Sequence, residues 1–154
     1  MRLDRNWIRA RIPHQGSMCL LEEVLEWSAG EIRCRASSHR DPANPLRAHG
    51  RLGAACGIEY AAQAMAVHGA LVCDAATGSR RGLLASARSV SLAVDRLDDC
   101  PGDLVAAARR VHGDAAMVLY DFSVSHEGRV LVAGRATIAF AAPAGGRTAL
   151  EDPR

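Results

Sequence analysis

One stretch constrains the fold more than any other: a single long, alanine-rich helix set between strands. From Gly53 to about Ala76 the residues Ile58, Ala62, Met65, Ala66 and Leu71 fall near helical spacing. Gly57, Ala61, Ala64 and Gly69 are small enough for a sheet to pack tightly on this helix, and the break is expected at Thr77-Gly78-Ser79. On either side the apolar period is two. The stretches from Glu22 to Trp27 and from Glu31 to Ser37 read as strands joined by a Ser28-Ala29-Gly30 turn. After Gly82, Val90, Leu92 and Val94 alternate with Ser89, Ser91 and Asp95. Further strands are expected from Leu104 to Val111, around Val118, Tyr120, Phe122 and Val124, and around Val130, Val132, Ala136, Ile138 and Phe140.

The order is two strands, a long loop, one apolar helix and about four antiparallel strands. One helix cannot cover both faces of such a sheet, so the sheet must curl around it. The expected class is α+β: a curled antiparallel sheet wrapped around one long central helix, the hotdog arrangement. An unpaired edge strand invites a second copy or a related chain. Residues 1–142 are expected to form one domain, with 143–154 a flexible polar tail. Ser17 is expected to cap a short helix over residues 17–21. Residues 38–52, with two prolines and several turn formers, read as a loop, and a loop this long in a compact domain is often functional.

Composition removes several classes. All 19 basic residues are arginine, dispersed along the chain and balanced by 17 acids, so no basic block marks a nucleic-acid surface. The five cysteines, Cys19, Cys34, Cys56, Cys73 and Cys100, include no Cys-x-x-Cys pair, which fits reduced thiols and not a zinc site. No metal and no cofactor is expected. No signal peptide and no bilayer-length apolar run is visible, so a cytoplasmic location without membrane insertion is expected.

Three segments carry a resemblance. Ile12-Pro13-His14-Gln15-Gly16-Ser17-Met18-Cys19-Leu20-Leu21-Glu22-Glu23-Val24 resembles the opening of the 3-hydroxyacyl-[acyl carrier protein] dehydratases, where Leu-Pro-His-Arg-x-Pro leads into Leu-Leu-x-Asp-x-Val. Gly57-Ile58-Glu59-Tyr60-Ala61-Ala62-Gln63-Ala64-Met65-Ala66 resembles their helix, typically Glu-Ala-x-Ala-Gln. Cys100-Pro101-Gly102-Asp103-Leu104 is similar to their Val-Pro-Gly-Asp-x-Leu turn. The segments come in the family's order, and Gly-Ile-Glu-Tyr-x-Ala-Gln is the form of a divergent branch found with aryl-polyene and related polyketide or fatty-acid gene clusters.

The resemblance implies loss of water from a 3-hydroxyacyl thioester. A base takes the proton alpha to the carbonyl, an acid protonates the departing hydroxyl, and backbone N–H groups stabilise the enolate-like oxygen. Glu59 matches the family's helical acid, and the Ala54 N–H matches the oxyanion donor at the helix start. Gln63 lies one turn after Glu59 on the same face, where it orients Glu59 or closes a hydrogen-bond network. His14 is read first as fixing the N-terminal segment, and with Ala54 and Gln63 it is placed at the substrate. The family's histidine, in Gly-His-Phe-Pro-Gly, stands fourteen residues before the acid, where this chain has Pro45. His49, ten residues before Glu59, and His39, twenty before, are the candidate replacements. His68, His112 and His126 are read as structural. Arg47, Arg51, Arg80 and Arg81 are candidates for an acidic carrier protein or its phosphopantetheine phosphate, with solvated charge the commoner outcome.

The missing histidine leaves three readings: a dehydratase acting on substrate carried by phosphopantetheine, on acyl carrier protein or coenzyme A; a hotdog thioesterase using Glu59 alone; or a degenerate subunit supporting an active hotdog partner. The assembly is read as a homodimer or a hetero-oligomer with another hotdog chain.

Overall fold

The computed structural model describes residues 2–72 and 82–140. The chain opens with a one-turn helix, α1 (Arg5–Arg9), capped by Asp4, whose carboxylate accepts the Trp7 N–H at 3.0 Å. Strands β1 (Glu23–Trp27) and β2 (Glu31–Ala36) follow, then the central helix α2 (Gly57–Val72). Four strands complete the fold: β3 (Gly82–Leu92), β4 (Leu104–Gly113), β5 (Met117–His126) and β6 (Arg129–Phe140). All pairings are antiparallel in one six-stranded sheet of order β1-β2-β4-β5-β6-β3.

The two periodicities read from the sequence meet in the core. Ile32, Cys34 and Ala36 of β2 point to the same side as Leu104, Ala106 and Ala108 of β4, and all are buried. Val118, Tyr120, Phe122 and Val124 of β5 and Val132, Ala136 and Ile138 of β6 continue that face. Against it lie Tyr60, Ala61, Ala64, Met65, Val67 and His68 of α2. The small residues let the helix sit close: a Cβ on Gly57 would come within 2.9 Å of a Val132 methyl.

Three local expectations change. The helix expected from Ser17 is only a 3-10 turn over Gly16–Met18; Cys19, Leu20 and Leu21 leave it and are fully buried beside α2. The central helix does not begin at Gly53 as an α-helix, because Ala54–Cys56 forms a 3-10 turn first. The apolar alternation in β3 does not face the core: Val90 and Leu92 are exposed, as are Leu83 and Leu84, because β3 is an edge strand. The expected helix end at Ala76, Cys73 and the tail 143–154 lie outside the described residues. The four described cysteines are free thiols.

Candidate active site

Two segments far apart in sequence build the site. The N-terminal segment turns after α1 through Ile12-Pro13-His14. The Gln15 amide holds that turn by donating to the carbonyls of Arg9 (3.0 Å) and Ile12 (3.3 Å). Gly16 takes φ +60°, a left-handed value that glycine adopts without strain. His14 is thereby presented to the first turn of α2, where Glu59 stands.

His14 Nε2 and Glu59 Oε1 are 3.0 Å apart, and the side chains are 26% and 32% exposed, so the pair is half-sheltered yet reachable. The Gln63 Nε2–H donates to the same Oε1 at 3.4 Å. The hydrogen bond from His14 holds the Glu59 carboxyl below the usual carboxylate range; burial opposes this, and the Gln63 bond adds to it. Glu59 is therefore a carboxylate at neutral pH. A carboxylate accepts hydrogen bonds only, so His14 Nε2 carries the hydrogen of this contact. His14 Nδ1 is buried without a hydrogen-bond partner.

A second network lies against the first. The Tyr60 hydroxyl is 2.8 Å from Ser38 Oγ, which donates to the Leu20 carbonyl at 2.7 Å, and Asn44 Nδ2 donates to Tyr60 at 3.1 Å. Burial pushes the Tyr60 phenol up. These bonds tie the loop before α2 to the segment that carries His14.

The remaining candidates are placed elsewhere. His39 is fully buried, with Nε2 3.1 Å from the Cys100 carbonyl, and burial lowers its basicity. It braces the loop against the Cys100-Pro101-Gly102 turn and makes no contact with Glu59. His49 is exposed at the tip of a two-residue turn closed by Ala48 and Arg51, with φ +53°. Among the described residues of this chain the side-chain partners of Glu59 are His14 and Gln63, and neither His39 nor His49 joins them. The Ala54 N–H donates to the Asp95 carbonyl at 3.0 Å and is not free to serve as an oxyanion donor. Arg47 is committed to the His39 carbonyl and lies 3.9 Å from Asp98. Asp98 in turn accepts the Leu52 N–H at 2.9 Å and pairs with Arg96, which keeps its carboxyl well below the ordinary range. Arg51 is exposed, and Arg80 and Arg81 lie outside the described residues.

His14 is among the residues expected at the substrate, with fixing the N-terminal segment as its first expected role. No spacing rule joins residues 45 apart. The clue was the Pro13-His14 motif itself, next to a segment apolar enough to bury against the helix.

A curled antiparallel sheet around one central helix, with an acid on the helix's first turn, defines a hotdog-fold protein of the dehydratase and thioesterase type. Residues 7–147 match the model of the ApeP-like family, described as ApeP dehydratase, and the chain belongs to that family. Among solved structures it is similar to a chain of the dehydratase heterocomplex ApeI:P from Xenorhabdus doucetiae: 24% identity, 88% of this chain and 91% of that chain covered, TM-score 0.79. It is also similar to a thioesterase from Haemophilus influenzae (11% identity, 81% of each chain, TM-score 0.60). A thioesterase variant from Staphylococcus aureus is comparable (14% identity, 78% of this chain and 93% of that chain, TM-score 0.57). No curated protein sequence matches the chain.

Proposed function

We propose that this protein removes water from 3-hydroxyacyl thioesters borne on the phosphopantetheine arm of an acyl carrier protein, in aryl-polyene-type or related biosynthesis, with His14 and Glu59 as the reacting pair. The observation that carries the reading is the 3.0 Å contact between His14 Nε2 and Glu59 Oε1 in a half-exposed site. It supplies a histidine–acid pair from a segment other than the loop that ends in Pro45.

The geometry supports a division of labour within the pair. Glu59 Oε1 is occupied by two donors, and Oε2 has no hydrogen-bond partner among the described residues, so Oε2 is the oxygen available to the alpha proton. The lone pair of His14 lies on buried Nδ1, out of reach as a base. The His14 Nε2–H stays on Oε1 and holds the carboxylate in place. Oε2 then hands the proton it has taken to the departing hydroxyl, which leaves as water, and the carboxylate is restored. With Ala54 engaged, the N–H of Ala55, an exposed residue next in the opening turn, is the better-placed donor for the thioester oxygen.

We further propose that the β3 edge pairs with a second hotdog subunit. β1, at the other edge, is covered: the Val24 N–H donates to the Leu3 carbonyl at 2.9 Å, and Asp4 bridges to Glu23. β3 has no such cover among the described residues and exposes Leu83, Leu84, Val90 and Leu92. That the related Xenorhabdus structure is a heterocomplex supports a non-identical partner.

Incubation with a 3-hydroxyacyl carrier protein, alone and with any hotdog chain that co-purifies, tests the reading by mass spectrometry. Loss of water is expected. Release of the free acid identifies a thioesterase, the reading supported by the thioesterases of the same fold. Unchanged substrate in both arms contradicts the reaction.

A further inference from the structure

Gln63 is fully buried on α2, one turn after Glu59. A primary amide offers one acceptor oxygen and two N–H donors, and here every one is used. Its oxygen accepts the Leu20 N–H at 2.9 Å. Its nitrogen donates to the Met18 carbonyl at 2.7 Å and to Glu59 Oε1 at 3.4 Å. The amide cannot be flipped, since a flip sets NH2 against the Leu20 N–H and the oxygen against the Met18 carbonyl. The backbone of Met18 and Leu20 therefore dictates that an N–H points at Glu59.

The same backbone belongs to the segment that carries His14, four residues before Met18. One side chain thus reaches both members of the pair: Glu59 directly, and His14 through the chain it stands on. An apolar residue of similar size fills the space but leaves the buried Leu20 N–H and the part-buried Met18 carbonyl without partners.

We propose that Gln63 is a positioning residue that fixes the His14 segment on the helix and the rotamer of Glu59, and so sets the contact between His14 and Glu59. The proposal rests on reading those two residues as the reacting pair. The 3.4 Å bond is the weaker link to the acid, and the two backbone bonds are the stronger link to the histidine's segment. Loss of Gln63 should therefore misplace the pair more than it discharges it.

Two near-isosteric variants test this. Gln63→Met removes all three bonds; Gln63→Glu keeps an acceptor for Leu20 but no donor for Met18 or Glu59. Both are expected to lower kcat by about 10- to 100-fold, the cost of a small misalignment of reacting groups. KM for the acyl carrier protein should stay within about twofold, since remote binding is untouched. In Gln63→Glu the acid limb of the kcat/KM profile should move to higher pH, because Glu59 loses a donor and gains an acidic neighbour.

A second readout needs no substrate. In ¹⁵N-histidine NMR spectra, Glu59→Gln defines the His14 resonances of an uncoupled ring, and Gln63→Met should move them toward that limit while His49 stays unchanged. If wild type shows no dehydration, the dehydratase reading fails and the NMR result still decides the clamp. Folded variants with unchanged kcat, pH profile and His14 resonances overturn the proposal. So does failure of both variants to fold, which makes Gln63 a structural brace only.

Discussion

The loop before the central helix and the segment after α1 differ in what they hold against Glu59. In the resembling enzymes the loop carries the histidine. Here residues 38–53 are occupied with bracing: His39 on Cys100, Asn44 on Tyr60, Leu52 and Arg47 on Asp98. The segment from Ile12 to Leu21 places His14, the histidine of the motif it shares with those enzymes, 3.0 Å from Glu59. It can do so because Cys19, Leu20 and Leu21 are buried and its backbone is bonded to the helix through Gln63. A catalytic group needs a rigid support more than a particular place in the chain.

The largest expected effect that sharpens this comparison is at Glu59, which both segments address. Glu59→Gln should lower dehydration by about 10³-fold or more while the melting temperature changes little, since the side chain is a third exposed. Turnover near wild type in a stopped assay breaks the assignment. On the loop side, His39→Ala should act through the fold. It leaves the part-buried Cys100 carbonyl without its partner and opens a cavity where the buried ring was, at a cost of about 2–4 kcal/mol, with activity per folded molecule retained. Chemical denaturation alongside active-site normalisation separates the two.

The smallest effect is on pH dependence. Glu59 has a folded value below its ordinary 4.5, so its contribution to stability is present above about 4.5 and is lost as pH falls through the lower folded value. His14→Asn, which removes the largest cause of the lowering, should shift that loss, and the acid limb of activity, to higher pH. An unmoved limb in the variant places the titrating group elsewhere.

Much of the fold was legible because periodicity is local. The strands around Val118 to Val124 and Val130 to Phe140 and the helix from Gly57 onward each announce themselves within a dozen residues. What escaped was non-local. Val90 and Leu92 look like core residues, and only the strand order shows that β3 is an edge. Glu59 was legible as the candidate acid from its place in the helix motif, and the structure sets it in the first turn of α2. The Glu59–Gln63 adjacency was legible because it spans one helical turn. Pairing His14 with that turn depends on how a segment more than forty residues away packs, so the loop histidines, nearer in sequence, drew attention first. Ala54 matched the oxyanion position by motif, but its N–H is taken by Asp95, a partner on the far side of the helix in the sequence.

The central claim is that His14, and not a loop histidine, works with Glu59. The most direct measurement compares the rate of water loss from a 3-hydroxyacyl carrier protein by wild type, His14→Asn and His49→Ala, each purified with any hotdog chain that accompanies it. The account predicts a loss of about 100-fold or more for His14→Asn and a rate within about twofold of wild type for His49→Ala. The reverse pattern, or equal rates for all three, contradicts it.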